Sequence, residues 1–533
     1  MNFLASAPKG LSIRTFFLTA LLLLLSLCSH FTGDGALYAD EKDQKSIKSH
    51  NYDKLFSEFR AYAINGMKQR GIPGMAIAVV KDGKIIYSEA FGVKKAGTKD
   101  PVTVETVFQI GSTSKAFTSC LMAMMADEKK FDWNDKVIDH FPGFMMYDPW
   151  VTREFMIKDL MAQHSGLKPY SGDTLSFFGY GRDQIIGNLR YLKPVSSFRS
   201  EFAYQNNLFL VAARIIEMKT CKSWEENVRT RIFEPLGMKN STMTLADFRA
   251  SANHVCPHAM DKTKAIPLTE DWKFHHWVYI YAPAGGINSN VIDMSKWLIF
   301  QINEGTYQNK QLAGKTNMHF LHTPQTVAAR DKTGALQTYC QGWVCREYSP
   351  HPIIWHNGGT SGCNTMVAFI PEEKLGIVIF TNVAESSALP DALGFRFFDM
   401  YFNKPFYDWN AASIKEQNEK AATIEKLQKK TSEPVIINPI PESACTGKYT
   451  NNVYGNIEIV QSINGLTFKA GPMNFDIDLQ PWSGNIYKAK LRGMDDTVGS
   501  AIFEMNSTGN VTGVTIDFFN QDGQGKFKKA SGE

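Results

Sequence analysis

The sequence has little of several things that would narrow its class. Its 533 residues carry Lys+Arg 57 against Asp+Glu 53, a net charge of only +4. So small an imbalance on so long a chain gives no support to nucleic acid as a partner. Cysteine is sparse, with 8 residues in all, too few for a disulfide scaffold. No internal repeat, heptad array or low-complexity tract occurs. The 44% hydrophobic and 21% charged residues are ordinary for a globular protein, which sets aside disordered, collagen-like and coiled-coil classes. No Gly-rich phosphate loop or dinucleotide fingerprint follows a strand, and no cofactor is expected. What is present is enough chain for two to four domains.

A single long apolar run stands at the N-terminus. Lys9 and Arg14 precede Phe16 through Leu27, interrupted by Thr19 and Ser26, and Ala36 and Ala39 follow. Basic, apolar and small residues in that order read as a secretory signal over 1–39, cleaved after Ala39. The run is shorter than the ~20 residues that span a bilayer. The expected location is therefore periplasmic or secreted, with no membrane span after cleavage; an uncleaved anchor is the competing reading. Leu27 is bulky where a lipoprotein would have a small residue before Cys28, which argues against lipidation. Export permits disulfides among the seven remaining cysteines, an odd number that leaves at least one unpaired or shared between chains. Cys340 and Cys345, flanking Gln-Gly-Trp-Val, are the expected local pair; the alternative is two small buried hydrophobes.

Leu55, Phe56, Phe59, Tyr62 and Met67 recur at helical spacing over 54–70, ending at Gly71 and Pro73. Met75–Val80 and Lys84–Tyr87 are β-rich runs around Lys81-Asp82-Gly83, a hairpin signature. Phe117, Cys120, Leu121 and Met124 form the apolar seam of a buried helix. Phe209–Met218 and Trp224–Phe233 predict two more helices. Ile353–Trp355, Met366–Ile370 and Gly376–Thr381 predict strands. Residues 409–440 read as a charged helix followed by a Pro-containing connector. From 441 to 533 short β-type runs alternate with Gly, Asn and Asp turns, as in a small all-β domain.

Ser112-Thr113-Ser114-Lys115 follows the strand-like Val107–Ile110 and opens a helix. A serine and a lysine three residues on share one helical face. Free serine is a weak nucleophile that needs a base within hydrogen-bond reach, and desolvation can make a buried lysine that base. The helix dipole favours a neutral lysine and an anion at the serine. Tyr204-Gln205-Asn206 precedes a second helix, and His356-Asn357-Gly358-Gly359 ends a strand.

These three motifs, in this order, resemble the penicillin-recognising serine hydrolases: class C β-lactamases, D,D-carboxypeptidases, D-aminopeptidases and related esterases. The likeness runs from about Asp53 to Asn382, through Met161–Leu167, Phe233–Met238 and Pro283-Ala284-Gly285-Gly286. The β-rich tail resembles the lipocalin-like module of some members. The resemblance implies an α/β fold: a β-lactamase/transpeptidase-like body over 45–408, with an antiparallel sheet flanked by helices and a helical subdomain, then a barrel-like domain. It implies Ser112 as acyl-enzyme nucleophile and Lys115 with Tyr204 as general acid–base groups. Asn206, His356, Gly358 and Gly359 become substrate-binding and oxyanion residues, with the Ser112 and Gly359 N–H groups as the donors.

His356 stands where many relatives have lysine. Histidine is largely neutral at pH 7, so weaker selection for a substrate carboxylate is expected, and esters, amides or short peptides, D-amino-acid ones included, become the expected substrates. Gln205 is large for its position and is expected to narrow the site. His164 reads as structural. His254, Cys256 and His258 lack a second ligand cluster, and no metal site is expected. The alternative function is a catalytically silent penicillin-binding-like protein that holds peptidoglycan fragments or a protein partner.

Overall fold

The computed structural model describes residues 52–261, 264–384, 388–430, 438–463, 465–492 and 498–530. The expected signal 1–39, with Cys28, lies outside the described residues, as does the Pro434 end of the connector.

Helix α1 (Tyr52–Gln69) forms on the periodic apolar residues of the first segment. Strands β1 (Gly74–Lys81) and β2 (Lys84–Gly92) follow as a hairpin. Their two-residue turn holds Asp82 and Gly83 at φ 50° and 75°, the left-handed pair that a tight hairpin matching the twist of its strands requires. A largely helical stretch then carries α2 (Lys115–Asp127), α3 (Asn207–Thr220) and α4 (Val291–Ile302). The chain returns to the sheet as β3 (Thr326–Arg330), β4 (Leu336–Tyr339), β5 (Val344–Arg346), β6 (Ile353–Gly359), β7 (Asn364–Ile370) and β8 (Leu375–Thr381). Eight strands make one antiparallel sheet in the order β2-β1-β8-β7-β6-β5-β4-β3, so the first strand lies against the last.

Both faces of this sheet are covered, and the alternation of side chains along each strand divides the core in two. Ala76, Ala78, Val80, Val378 and Phe380 face α4 and the helical region. Met75, Ile77, Val79, Ile377 and Ile379 face α1 and α5 (Leu389–Tyr401). Coverage on both sides explains why these strands read as continuous apolar runs. Next comes α6 (Trp409–Lys430), whose first turns are fastened to the end of α1. Buried Arg70 donates from Nε to Asn410 Oδ1 (2.6 Å), from Nη1 to Gln417 Oε1 (2.8 Å), and to Ser413. The tail is a closed eight-stranded antiparallel barrel running from Gly447–Asn451 to Lys526–Lys529. Tyr449, Phe468, Leu479, Tyr487, Phe503 and Phe527 fill its interior, each at most 1% exposed.

Three local expectations change. Strand β6 continues four residues past Trp355, because Gly358 and Gly359 pair with Thr365 and Asn364 on β7. The helix expected over 224–233 breaks into Trp224–Val228 and a π-helical turn, Arg229–Phe233. Cys340 and Cys345 are free thiols. The β4–β5 register sets Cys345 opposite Thr338 and lets the Cys340 N–H donate to the Trp343 carbonyl, so the two thiols are not cross-strand partners.

Replacing Arg70 by alanine leaves Asn410 and Ser413 without their donor inside the α1–α6 contact. Arg70→Ala should lower stability by about 2–4 kcal/mol, read as a shift of the urea unfolding midpoint.

Candidate active site

The local fold of the Ser112 segment begins with a glycine. Gly111 sits at φ 54°, and a side chain there would lie 2.6 Å from the Gly359 N and 2.9 Å from the Gly358 carbonyl carbon. A side chain at Gly358 would meet the Ile110 carbonyl oxygen at 2.0 Å. Bare backbone on both sides is what lets the end of β6 lie directly against the Ser112 turn. Strand β5 pairs with β6 only over Ile353–Trp355, so from His356 onward the β6 edge on that side carries no β5 partner.

Gly111–Ser114 is a single 3-10 turn that passes straight into α2. Ser112 is half-buried, whereas Lys115, the first residue of α2, is fully buried. The Lys115 Nζ lies 3.2 Å from Ser112 Oγ, 2.6 Å from Asn206 Oδ1 and 2.9 Å from the Ala284 carbonyl oxygen. It also sits 4.6 Å above the Tyr204 ring. Burial lowers its pKa to about 7, against a smaller raising effect of the nearby Asp173 carboxylate.

Asn206 caps the start of α3 without spending its side chain on the helix. Its Oδ1 accepts from Lys115, and its Nδ2 donates to Asp173 Oδ2 at 2.6 Å. When ionised, Asp173 can only accept, which turns the Asn206 amide nitrogen toward it. Burial raises the Asp173 carboxyl to about 7, and its Oδ1 is buried without a hydrogen-bond partner. Tyr204 is buried among Tyr170, Tyr339 and His356, with ring centroids 5.2–6.2 Å away. Burial pushes its phenol well above the ordinary range, and its contact with Ser112 works the other way.

His356 is 2% exposed and lies beside Tyr204. Its Nδ1 is 2.5 Å from the Asn357 carbonyl oxygen, so that nitrogen carries the hydrogen. Nε2 then accepts from the Tyr339 hydroxyl at 3.0 Å. Burial, followed by the Lys115 charge, lowers its pKa to about 3. The ring is neutral and both nitrogens are engaged.

Ser112, Lys115, Tyr204, Asn206 and the Gly358-Gly359 strand thus converge, while the His356 ring packs behind them. Gln205 corrects an expectation. It is fully buried and donates to the Lys168 carbonyl (2.6 Å), so its bulk goes into the loop interior. Gln163 holds that loop, accepting from the Gln205 N–H at 2.5 Å and donating to the Gln205 carbonyl at 3.1 Å. Asp173, Gln163, Tyr339 and the Ala284 carbonyl were not singled out by sequence. The Met161–Leu167 block contains Gln163 and the Pro283–Gly286 block contains Ala284, but neither residue was picked out within its block. His164 bridges Asp159 and Thr326. His258 uses both ring nitrogens on backbone, the Ala96 N–H and the Asn382 carbonyl. Among the described residues no three His, Cys, Asp or Glu side chains gather as metal ligands, and no helix is long and apolar enough to cross a membrane.

The Beta-lactamase family profile matches residues 59–394, and a domain of unknown function, DUF3471, matches 433–530. The unguisins hydrolase ungD' of Aspergillus campestris is 27% identical over 420 residues, 75% of this chain and 76% of that protein. Penicillin-binding protein 4 of Amycolatopsis lactamdurans is 25% identical, covering 58% of this chain and 81% of its own. Among solved structures, the octameric penicillin-binding protein homologue of Pyrococcus abyssi superposes with a TM-score of 0.58 at 18% identity, over 89% of this chain and all of its own, a likeness of fold. With a Ser-x-x-Lys turn, a Tyr-x-Asn loop and a His-x-Gly strand brought together inside the matched region, the chain belongs to the Beta-lactamase family.

Proposed function

We propose that this protein is an exported serine hydrolase that cleaves an ester, an amide or a short peptide bond, D-amino-acid peptides included, through an acyl-enzyme on Ser112. The observation that carries the proposal is the set of three contacts at the Lys115 amine. Two of its partners, the Asn206 amide oxygen and the Ala284 carbonyl, only accept hydrogen bonds. A neutral amine has two hydrogens, and those two acceptors take both. Its lone pair is left for the third partner, the Ser112 hydroxyl. With a pKa near 7, a large share of the amine is neutral at physiological pH.

The reaction follows from that geometry. The Lys115 lone pair takes the Ser112 proton as Oγ bonds to the acyl carbon. The oxyanion that forms is met by the backbone N–H groups of Ser112 and Gly359, donors worth about 3 kcal/mol each in such sites. Collapse breaks the bond to the leaving group, which receives the proton from Lys115 by way of the Tyr204 hydroxyl. Tyr204 keeps its own proton at rest, which suits it to relay rather than to act as the base. Water then repeats the sequence on the acyl-enzyme. A relative named a hydrolase of unguisins supports hydrolysis as the activity. The N-terminal order of basic, apolar and small residues supports export. A silent binder has no chemical need for an amine held in this state.

The neutral, fully engaged His356 offers no cation to a substrate carboxylate. Short-chain esters and neutral amides should therefore be turned over in preference to cephalosporins; efficient cephalosporin hydrolysis without ester turnover would contradict this assignment. Ser112→Ala should abolish the covalent fluorophosphonate adduct and cut ester turnover by about a thousandfold or more. A wild-type protein that forms no adduct and shows no Ser112-dependent turnover would leave only the binding function. The acylation rate should rise with pH as the Lys115 ammonium loses its proton, and level off above about 7, measured with a short-chain ester between pH 5 and 9. A profile still rising at pH 9 would mean that Lys115 is not the base.

A further inference from the structure

Among the described residues, aromatic and aliphatic side chains fill the interior of the C-terminal barrel. One end of the barrel is docked on the hydrolase body near the Asp173 segment. Phe178 of the body packs against Phe475 and Phe519 of the barrel, with centroids 5.7 and 4.7 Å apart. Phe274 stacks on Phe475 at 5.2 Å. Tyr180 donates to the Tyr454 carbonyl at 2.6 Å, and Asn188 to the Val453 carbonyl at 3.1 Å. Gly471 lies so close that a side chain there would meet the Phe178 carbonyl oxygen at 2.3 Å.

Next to this apolar contact, one barrel loop reaches the segment that carries Asp173. Asp522 Oδ2 accepts the Gly172 N–H at 2.8 Å, and its Oδ1 accepts from Ser171 Oγ at 3.3 Å. Lys168 donates to the Gln521 carbonyl at 2.5 Å. The held segment faces the catalytic loop from the other side: the Tyr170 N–H donates to the Tyr204 carbonyl at 2.8 Å, and the Ser171 carbonyl accepts from Asn207 at 2.5 Å. Gly172 itself sits at φ 81°, a conformation with few steric restraints of its own in glycine.

We infer that the barrel is a working part of the hydrolase site, with Asp522 as a positioning residue: it fixes the Gly172–Asp173 backbone so that Asp173 holds the Asn206 amide in the orientation that receives Lys115. This inference rests on the Ser112 hydrolase assignment. It gives the tail domain a role that its closed fold alone does not suggest. A ligand-carrying barrel would need an open interior, whereas a positioning barrel needs only a rigid frame and one well-placed loop. Asp522 reaches Asn206 and Lys115 by way of Gly172 and Asp173, so its effect falls on the rate of acylation and not on substrate affinity.

The test is the fluorophosphonate labelling of Ser112 in the full chain, followed to saturation so that the limiting rate separates from the half-saturating concentration. Asp522→Ala should slow the limiting rate by about tenfold, or about 1.4 kcal/mol, with half-saturation unchanged. Asp522→Asn keeps an oxygen for the Gly172 N–H and should restore most of that rate. Glu458→Ala, on the exposed barrel wall, should label like wild type. Full-rate labelling of Asp522→Ala would overturn the inference. So would equal losses in both Asp522 variants that track a lowered Tm, since that pattern means the loop only holds the fold together. If Asp522→Ala does not fold, Lys168→Met carries the test by removing the tie to Gln521; its limiting rate must fall by about threefold or more, and an unchanged rate overturns the inference. Wild-type protein that does not label at all would overturn the hydrolase assignment and this inference with it, an outcome distinct from labelling that ignores Asp522.

Discussion

Burying the ε-amino group of Lys115 is the constraint that organises the site around it. An ammonium taken out of water with no anion in direct contact costs several kcal/mol, and the cost falls if the group gives up its proton. The fold supplies the conditions for that: a 3-10 turn that drops the residue into the interior, aromatic rings of Tyr204 and Phe209 above it, and oxygen acceptors for its remaining hydrogens. Asp173 opposes the loss of the proton, and burial outweighs it. An amine poised near neutrality is the balance of these two effects.

The second requirement is proximity between backbones. The Ser112 turn and the end of β6 come from opposite ends of the family region, and side chains at Gly111 or Gly358 would hold them apart. The antiparallel sheet makes the approach reproducible, because β6 is registered on β7 residue by residue up to Gly359. Thr365 adds a hydroxyl that donates to the Ile110 carbonyl at 2.8 Å, tying the strand to the residue just before the turn.

Much of this was legible in the sequence, and the reasons are specific. The hairpin at Asp82-Gly83 and the helix on Phe59 and Tyr62 are local patterns, and they appear where the periodicity puts them. The α/β body and closed barrel agree with the alternation of apolar residues and with the family resemblance. Ser112, Lys115, Tyr204 and Asn206 stood out because their spacing is itself a signal. The Ala284 carbonyl has no side-chain signature, since any residue supplies one. Asp173 sits in a turn where aspartate is commonplace, and its role depends on burial that no short window records. Gln205 misled because size was read without direction: its side chain turns inward. The Cys340–Cys345 pair failed on register, which depends on where the hairpin turns and not on the number of residues between the thiols.

The hydrogen bond between Asp522 and Gly172 joins residues 350 positions apart. Contacts of such sequence separation form late, because the chain must close a long loop before they contribute anything. Gly172 therefore gains its Asp522 partner only after the barrel loop has been made and folded. On the positioning role inferred for Asp522, the segment that orients Asp173 is completed only when the barrel docks on the body.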